Sequence, residues 1–269
     1  MKVWTNTTTL KGYDLGLHFT SKKQYADIAL IGSKPINLKS FKKLKGIFRA
    51  GIGRDNVPEK EAEKLGVKVK YPDQKTMNII YDETSIFTCG LIFRMLYSNV
   101  GNNEKWEKKS RRQFSLKKLL IIGDGNIGGR VSTLMRPFLE VQTFDITQNS
   151  ISDLKSMVEA SDCISLHIPK TKSNISFFDQ EKLSWMKNGA CLINTARGPL
   201  VDENALYEEL KVKRIRAAFD VFWEEPYNGK LKVFTEEYFY MTPHVASTCK
   251  EFLQGIRYDL DKFINDLKN

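Results

Sequence analysis

The stretch "LLIIGDGNIGGRV", residues 119–131, is the part of this chain that most directly predicts its fold. It carries the pattern Gly-x-Gly-x-x-Gly at Gly123, Gly125 and Gly128, directly after an aliphatic run and before a helix-like segment. Such a turn lets the backbone bring a pyrophosphate against the N-terminus of a helix, where unpaired N–H groups and the helix dipole favour anions. We therefore predict a dinucleotide site that includes Asn126 and Ile127 inside the turn.

An acidic residue follows at the distance that this kind of site requires. The next strand-like run, "VQTFD", ends in Asp145, whose carboxylate is placed to accept hydrogen bonds from the ribose hydroxyls of an adenosine. Residues 146–149 are Ile, Thr, Gln and Asn, so no arginine or lysine follows that could bind a 2′-phosphate. The expected cofactor is therefore NAD and not NADP.

Short apolar runs alternate with longer amphipathic ones along the chain, which is typical of an α/β protein with parallel sheets. Helical spacing of apolar residues extends over 78–100, and the C-terminal stretch 249–269 reads as one amphipathic helix. The predicted strands lie in "KVWTN", "IALIG", "GIFRAG" and "VKVKY" for a first unit, and in "LKKLLIIG", "VQTFD", "DCISLHI", "GACLIN", "RAAFDVF" and "FYMTP" for a second.

Composition limits the class of protein. A chain of 269 residues with 41% hydrophobic content is long enough for two domains. We see neither an apolar run of the roughly 20 residues that cross a bilayer nor the apolar core of a signal peptide, so we expect a cytoplasmic protein. The four cysteines lie far apart without a C-x-x-C pair, so we expect neither a metal site nor a disulfide framework.

The formal charge of +10 raises a nucleic-acid-binding alternative. Its basic runs, "KSFKKLKGIFR", "KWEKKSRR" and "KVKRIR", are short and separated, and no zinc-finger or RNP-type motif accompanies them. We interpret them as solvated faces and expect no nucleic-acid partner. A positive field is also compatible with an enzyme that collects a small anionic substrate.

A lone cation stands in "NTARGPLVDE", where Arg197 follows the apolar run Ala190–Ile193. Further segments, "LHIPKT", "AAFDVFWEEP" and "YMTPHVAST", follow the same kind of run. Together with the glycine turn they resemble the signature segments of the D-isomer-specific 2-hydroxyacid dehydrogenases, in particular the phosphoglycerate dehydrogenase-like branch. The resemblance covers nearly the whole chain, since "RAGIGRDNVP" is similar to the family's substrate loop.

The resemblance implies three catalytic residues: Arg197, Glu225 and His244. Reduction of a 2-keto acid needs a hydride at the carbonyl carbon, a proton at the oxygen and a cation that holds the carboxylate. The planar guanidinium of Arg197 suits the last task. Histidine suits proton transfer near neutral pH, and Glu225 would hold its ring by a hydrogen bond. We expect Arg197 to face a cleft between two lobes.

The same resemblance implies roles for further residues. Asp220 would accept a hydrogen bond from the nicotinamide carboxamide, and His167 would line the cofactor side of a strand end without carrying a proton. The remaining implied contacts are Pro169, Thr195 and Ala196 with the cofactor, and the backbone N–H groups of Gly51, Ile52 and Gly53 with the substrate carboxylate.

The family fold implies a doubly wound Rossmann cofactor domain, residues 78–246, inserted into a smaller flavodoxin-like substrate domain, residues 1–77 and 247–269. The interval of about twenty residues between the first two predicted strands is short for this family, so we expect a reduced first lobe. The long apolar segment 78–100 resembles the family's dimer-facing helix and predicts a homodimer. Arg54 stands where the family usually has an apolar residue, and we take it as a candidate for substrate choice.

The family includes a non-enzymatic alternative. The C-terminal-binding corepressors resemble it, keep the same three residues and use the cofactor as a conformational ligand. Our expectation is an NAD-dependent enzyme that interconverts a D-2-hydroxy acid and its 2-keto acid.

Overall fold

The computed structural model describes residues 1–97 and 100–268. The chain divides into two compact units, one formed by Met1–Ile80 with the chain from Ser247 onward, the other by Tyr81–Ala246. The first division falls inside a helix, three residues after the boundary expected from the sequence. Ser98 and Asn99, at the end of the predicted helical segment 78–100, lie outside the described residues.

The first unit is built on a five-stranded parallel sheet in the order β2-β1-β3-β4-β5, which is the flavodoxin-like order. Helix α7 packs on one face through Phe252, Ile256 and Leu260, and α1 with neighbouring loops covers the other. The elements are β1 (Lys2–Thr5), β2 (His18–Phe19), β3 (Ile28–Ile31), β4 (Gly46–Arg49), α1 (Glu59–Lys64), β5 (Lys68–Lys70) and α7 (Lys250–Asp266).

The predicted reduction of the first lobe is confirmed. Between β1 and β3 the described chain forms only the two-residue β2 and a single 3-10 turn, Lys23–Tyr25. The sequence reasoning had not foreseen β2, because two exposed residues carry no alternation of apolar and polar side chains. The strands expected in this unit and the C-terminal helix are present.

The second unit contains a six-stranded parallel sheet in the order β13-β12-β11-β10-β8-β9. Its elements are α2 (Gln74–Leu96, which begins in the first unit), the antiparallel pair β6 (Gly101–Asn102) and β7 (Glu107–Lys108), β8 (Lys118–Ile122), α3 (Gly128–Met135), β9 (Glu140–Phe144), α4 (Ile151–Ala160), β10 (Cys163–Leu166), α5 (Gln180–Ser184), β11 (Cys191–Asn194), α6 (Glu203–Lys211), β12 (Arg216–Phe219) and β13 (Phe239–Met241).

Both faces of this sheet are buried. Leu120 and Ile122 of β8 pack with α4, α5 and α6, whereas Leu119 and Ile121 pack with α2 and α3. Side chains alternate between the faces of a strand, so a strand covered on both sides reads as a continuous apolar run. The predicted α/β class with a doubly wound sheet is therefore confirmed.

Two further features bear on the class of protein. None of the helices in the described ranges is long and apolar enough to cross a membrane. In the same ranges, the histidine, cysteine and acidic side chains form no group of three or more that could hold a metal ion.

Candidate active site

The residues proposed for chemistry in the second unit lie at one edge of its sheet. All six strands are parallel, so their carboxyl ends meet there, and the strand order reverses between β8 and β10, the position at which ligands bind in open α/β sheets. These residues are Gly123, Gly125 and Gly128 after β8, Asp145 after β9, His167 after β10, Thr195, Ala196 and Arg197 after β11, Asp220 and Glu225 after β12, and His244 after β13.

The three positions of the turn differ in why they carry glycine. Gly123 has a φ of +99°, and a Cβ there would lie 2.9 Å from the carbonyl carbon of His167. A Cβ at Gly128 would overlap the carbonyl oxygen of Gly123. At Gly125, by contrast, φ is not positive, and a Cβ would meet no described atom within 4 Å. The fold explains the first two glycines, whereas the third leaves space in front of the backbone.

Helix α3 begins at the end of this turn. Ile127 is its N-cap, and in the described structure its side chain makes no capping hydrogen bond. Asn126 accepts a bond from Arg130 through its carbonyl oxygen, and Ser85 of α2 donates to the carbonyl of Ile127 at 3.3 Å. The N-terminal N–H groups of α3 therefore combine with Gly125 to form a cradle that fits a pyrophosphate.

Asp145 is held as a carboxylate beside the turn. It accepts bonds from the backbone N–H and the hydroxyl of Thr147, at 2.9 and 2.6 Å, and from the backbone N–H of Asp124 at 3.3 Å. These bonds, with the Thr147 hydroxyl first, lower the pKa of Asp145 below its ordinary value. A negative charge at this point suits ribose hydroxyls and disfavours a 2′-phosphate.

His167 faces the turn from the end of β10. Its Nε2 lies 2.9 Å from the hydroxyl oxygen of Ser165, and burial lowers the pKa of His167 to about 3. The imidazole is therefore neutral near pH 7, which agrees with a lining role. Pro169, two residues on, accepts a hydrogen bond from Asn174 through its carbonyl oxygen.

The Arg197 turn is packed closely on its neighbours. The guanidinium donates to the carbonyl oxygen of Ala196 at 2.7 Å and is partly buried. A Cβ at Gly198 would overlap the carbonyl carbon of Phe222, so glycine lets this turn dock against the segment that leads to Glu225. On the other side, the hydroxyl of Thr195 lies 2.8 Å from that of Thr88 in α2.

Glu225 and His244 form a carboxylate–imidazole pair. The Nδ1 atom of His244 lies 2.9 Å from both carboxylate oxygens of Glu225, and Glu225 also accepts from the backbone N–H of Phe222 at 3.3 Å. If the carboxylate accepts a hydrogen bond from an Nδ1–H group, Nε2 is the ring nitrogen left for other partners.

Asp220 fixes the loop that carries His244. Its carboxylate accepts from the hydroxyl of Thr242 at 2.6 Å and from the backbone N–H groups of Val245 and Ala246, both at 2.9 Å. These partners flank His244, whose φ of +54° is uncommon for a residue other than glycine. Burial raises the pKa of Asp220 above its ordinary value, while the three hydrogen bonds oppose that rise.

The Gly51–Gly53 loop belongs to the first unit, after β4. Gly51 has a φ of +146°, and a Cβ there would lie 2.7 Å from Nη1 of Arg49. The buried Arg49 guanidinium donates to the carbonyls of Ala50 at 2.8 Å and Gly53 at 3.2 Å. The loop, with Ile52 at its centre, is thus braced from beneath by a cation that the sequence reasoning had not singled out.

The comparison with known families decides the identity of the chain. Residues 93–246 match the model of the NAD-binding domain of the D-isomer specific 2-hydroxyacid dehydrogenases. The chain belongs to this family. The predicted NAD cofactor and the prediction of an NAD-dependent oxidoreductase are confirmed with it.

Several proteins align with most of the length of this dehydrogenase. Hydroxypyruvate reductase from Thermotoga maritima is 31% identical in an alignment of length 244 that covers 86% of this chain and 80% of that protein. Glycerate dehydrogenase from Methylorubrum extorquens is 33% identical in an alignment of length 254 that covers 86% of this chain and 79% of that protein. D-lactate dehydrogenase from Aquifex aeolicus, solved with NAD and lactic acid, superposes with a TM-score of 0.80 at 23% identity, covering 98% and 94% of the two chains.

Sequence reasoning missed the polar residues that support the dehydrogenase's site. Asn194 and Thr88 are buried and bonded to the Arg197 turn. For Asn194 a signal existed, because an amide that ends a buried apolar strand must find hydrogen-bond partners. Thr88 lay within a helical pattern in which a threonine carries no special meaning.

Proposed function

We propose that this dehydrogenase interconverts a small D-2-hydroxy acid and its 2-keto acid, with His244 as the acid and base and Arg197 as the carboxylate-binding cation. The observation that carries the proposal is the pairing of His244 Nδ1 with both oxygens of Glu225, at the same sheet edge as Arg197. Such a pair orients one ring nitrogen and supports a positive charge on the ring when a proton is taken up.

The chemistry assigns one task to each group. Bound NADH supplies the hydride for reduction of the keto carbon. His244 donates the proton of Nε2 to the keto oxygen, and Glu225 stabilises the imidazole orientation before and after the transfer. Arg197 binds the substrate carboxylate and draws electron density from the neighbouring carbonyl, which favours hydride addition at carbon. Oxidation of the hydroxy acid uses the same groups in reverse.

The cofactor half of the proposal rests on the glycine turn and its surroundings. Gly123, Gly125 and Gly128, with Asn126 and Ile127, would place the pyrophosphate at the start of α3, and Asp145 would accept the ribose hydroxyls. The other contacts proposed with the cofactor are His167, Pro169, Thr195, Ala196 and Asp220. For Asp220 this role would be additional to its three bonds with the His244 loop.

Three of the relatives support a choice of substrate class. Hydroxypyruvate reductase, glyoxylate reductase and glycerate dehydrogenase are each more than 30% identical to this chain over most of its length. We propose a substrate of this small size, with the backbone N–H groups of Gly51, Ile52 and Gly53 as further ligands of its carboxylate. The N–H of Gly51 donates to the carbonyl oxygen of Arg49 at 2.9 Å, so it would exchange or share that acceptor when substrate binds. The cytoplasmic location stays a prediction.

The test is NADH oxidation with glyoxylate, hydroxypyruvate, pyruvate, phosphohydroxypyruvate and longer 2-keto acids. We expect glyoxylate or hydroxypyruvate to give the highest kcat/KM, and Arg197→Ala to lower it by at least about a hundredfold. Arg112→Ala is the matched control. Arg112 lies 3.7 Å from Asp162, which precedes the amino end of β10, whereas Arg197 follows the carboxyl end of β11. NADH binding without turnover of any acid would instead favour the non-enzymatic, corepressor-like module.

We also propose a homodimer that forms through α2 and α3. Ile86 of α2 and Leu134 of α3 are large apolar side chains that are 56% and 43% exposed. Exposed apolar surface of this kind is typical of an interface. Light scattering should give twice the chain mass at micromolar concentration, and Ile86→Glu should lower that mass. A monomer mass for the parent protein would contradict the proposal.

A further inference from the structure

Asn194 ends β11 and is completely buried. Its side-chain amide makes two hydrogen bonds within the next three residues. The Nδ2 group donates to the carbonyl oxygen of Arg197 at 2.9 Å, and Oδ1 accepts from the backbone N–H of Ala196 at 3.0 Å. The two bonds close a small ring over the turn that presents Arg197.

This ring constrains the backbone from which the guanidinium extends. Arg197 has φ −151° and ψ 135°, and its carbonyl oxygen accepts from the Asn194 amide at 2.9 Å and from the backbone N–H of Leu200 at 3.2 Å. The other contacts of the turn act at different points, since Thr195 bonds to Thr88 and Gly198 packs on Phe222. The Asn194 side chain, by contrast, bonds directly to the carbonyl oxygen of Arg197.

The residue type matches the task closely. The two backbone groups need one acceptor and one donor on a short planar side chain, which an asparagine amide supplies. Aspartate keeps the acceptor and loses the donor, and alanine loses both. Without the amide, the backbone N–H of Ala196 loses its acceptor and the Arg197 carbonyl keeps the Leu200 N–H as a donor, so the start of the turn would adopt another conformation.

We propose that Asn194 is a positioning residue for Arg197, which sets the guanidinium in register with the substrate carboxylate. The inference rests on the proposed role of Arg197. Because a displacement of about 1 Å in a substrate-holding group costs around a hundredfold in rate, loss of the amide should affect substrate steps much more than cofactor binding.

A double-mutant cycle tests this inference in the full-length protein. Asn194→Ala, Arg197→Ala and the double variant are compared with the parent for kcat and KM with hydroxypyruvate, and for the Kd of NADH by fluorescence. Asn194→Asp, assayed at pH 8, keeps the side-chain shape and serves if the alanine variant does not fold. Ser161→Ala, which removes a buried hydroxyl that bonds Met157 before β10, is the structural control.

We expect Asn194→Ala to lower kcat/KM at least tenfold, with a raised KM, while the Kd of NADH stays within twofold of the parent. In the Arg197→Ala background the same substitution should change kcat/KM less than twofold, because the group through which it acts is gone. Ser161→Ala should lower the melting temperature without raising KM.

Two results overturn the inference alone. One is a kcat/KM within twofold of the parent for Asn194→Ala while Arg197→Ala is strongly impaired. The other is an equal loss in both backgrounds, which would mean that Asn194 acts independently of Arg197. If Arg197→Ala itself retains the parent kcat/KM, the proposed function of Arg197 fails, and the role of Asn194 fails with it.

Discussion

The two parallel sheets of this chain share a strand order, yet only one ends in the residues that perform redox chemistry in the proposed function. Counted within each parallel sheet, the second strand is at the edge, followed by the first, third, fourth and fifth, and the larger sheet adds a sixth. After β8 the chain passes through the glycine turn into α3. After β1 it enters a threonine-rich loop that hydrogen-bonds to itself.

That loop explains why the same order gives different properties. The hydroxyl of Thr5 accepts from the N–H of Thr7, the hydroxyls of Thr7 and Thr9 lie 2.6 Å apart, and Asn6 accepts from the N–H of Gly32. These polar groups at the end of β1 thus find partners within the chain. The strand order creates a crevice at the carboxyl ends of the strands. The turn that follows the first strand decides whether this crevice can bind an anion.

The largest expected effect separates the histidines at the two sheets. His244→Ala should lower the rate of keto-acid reduction by about 10²–10⁴-fold, since a general acid contributes that much, whereas His18→Ala in β2 should leave it unchanged. Since His244 gives a proton in reduction and takes one in oxidation, the substitution should slow both directions. Steady-state rates in both directions check this.

Glu225→Gln sharpens the same prediction. The substitution removes one of the two carboxylate oxygens that lie 2.9 Å from Nδ1 and orient the ring, so reduction and oxidation should both slow. The rates should fall less than in His244→Ala. Parent rates in both directions would mean that Glu225 does not orient His244.

The second effect separates two glycines of one turn. Gly128→Ala should destabilise the protein by several kcal/mol, on the order of 3, because its Cβ would overlap the backbone of Gly123. Gly125→Ala should fold with nearly the parent stability but bind NADH at least about tenfold more weakly. Urea unfolding measures the stability of both variants, and NADH titration measures their affinity. Parent-like NADH affinity in Gly125→Ala would contradict the assignment of the pyrophosphate cradle.

The third effect is a pH dependence of stability that originates at His167. Its folded-state pKa of about 3 lies below the ordinary value of 6.5, so the unfolded chain binds a proton in that window that the folded chain does not. Stability from this group is complete above about pH 6.5 and is lost as pH falls, by at most about 2 kcal/mol between pH 7 and 5.

His167→Gln should therefore flatten the decline of unfolding free energy between pH 7 and 5, as measured by urea titrations. His18→Gln, at the exposed edge strand of the first sheet, is the control and should keep the parent slope. Parallel slopes in all three proteins would show that His167 is hydrated in the native state.

The fourth effect concerns the choice of cofactor. The lowered pKa of Asp145 keeps a carboxylate where a 2′-phosphate would lie, so kcat/KM should favour NADH over NADPH by at least about tenfold, or 1.4 kcal/mol. Asp145→Ser should reduce that ratio. Equal efficiencies of the parent with both cofactors would contradict the assignment.

The smallest effect returns to the first sheet. Arg54, a candidate for substrate choice on sequence grounds, lies over the ring of Tyr71 at 4.6 Å and 3.6 Å from Glu59. Since such surface contacts contribute less than about 1 kcal/mol, Arg54→Ala should change kcat/KM less than about threefold for each keto acid. A tenfold change for one acid would show that Arg54 binds substrate.

The sequence by itself determined the fold class, the family and the order of the candidate residues. Continuous apolar runs such as Leu119–Ile122 can only be buried on both faces, and each is followed by a polar or glycine-rich segment whose type reflects local chemistry. Arg197, His244 and the glycine turn were therefore visible along the chain. Hydrogen bonds between distant residues leave no such local pattern.

Tertiary structure alone decided how those residues are held. The bond between Glu225 and His244 spans 19 residues, and Asp220 reaches 26 residues along the chain to Ala246. The glycines show the same division: the sequence contains three in one motif, and only packing shows that Gly123 and Gly128 are required by backbone contacts while Gly125 is not. Periodicity encodes which face is buried, whereas contacts depend on strand order, which brings distant segments to one edge of the sheet.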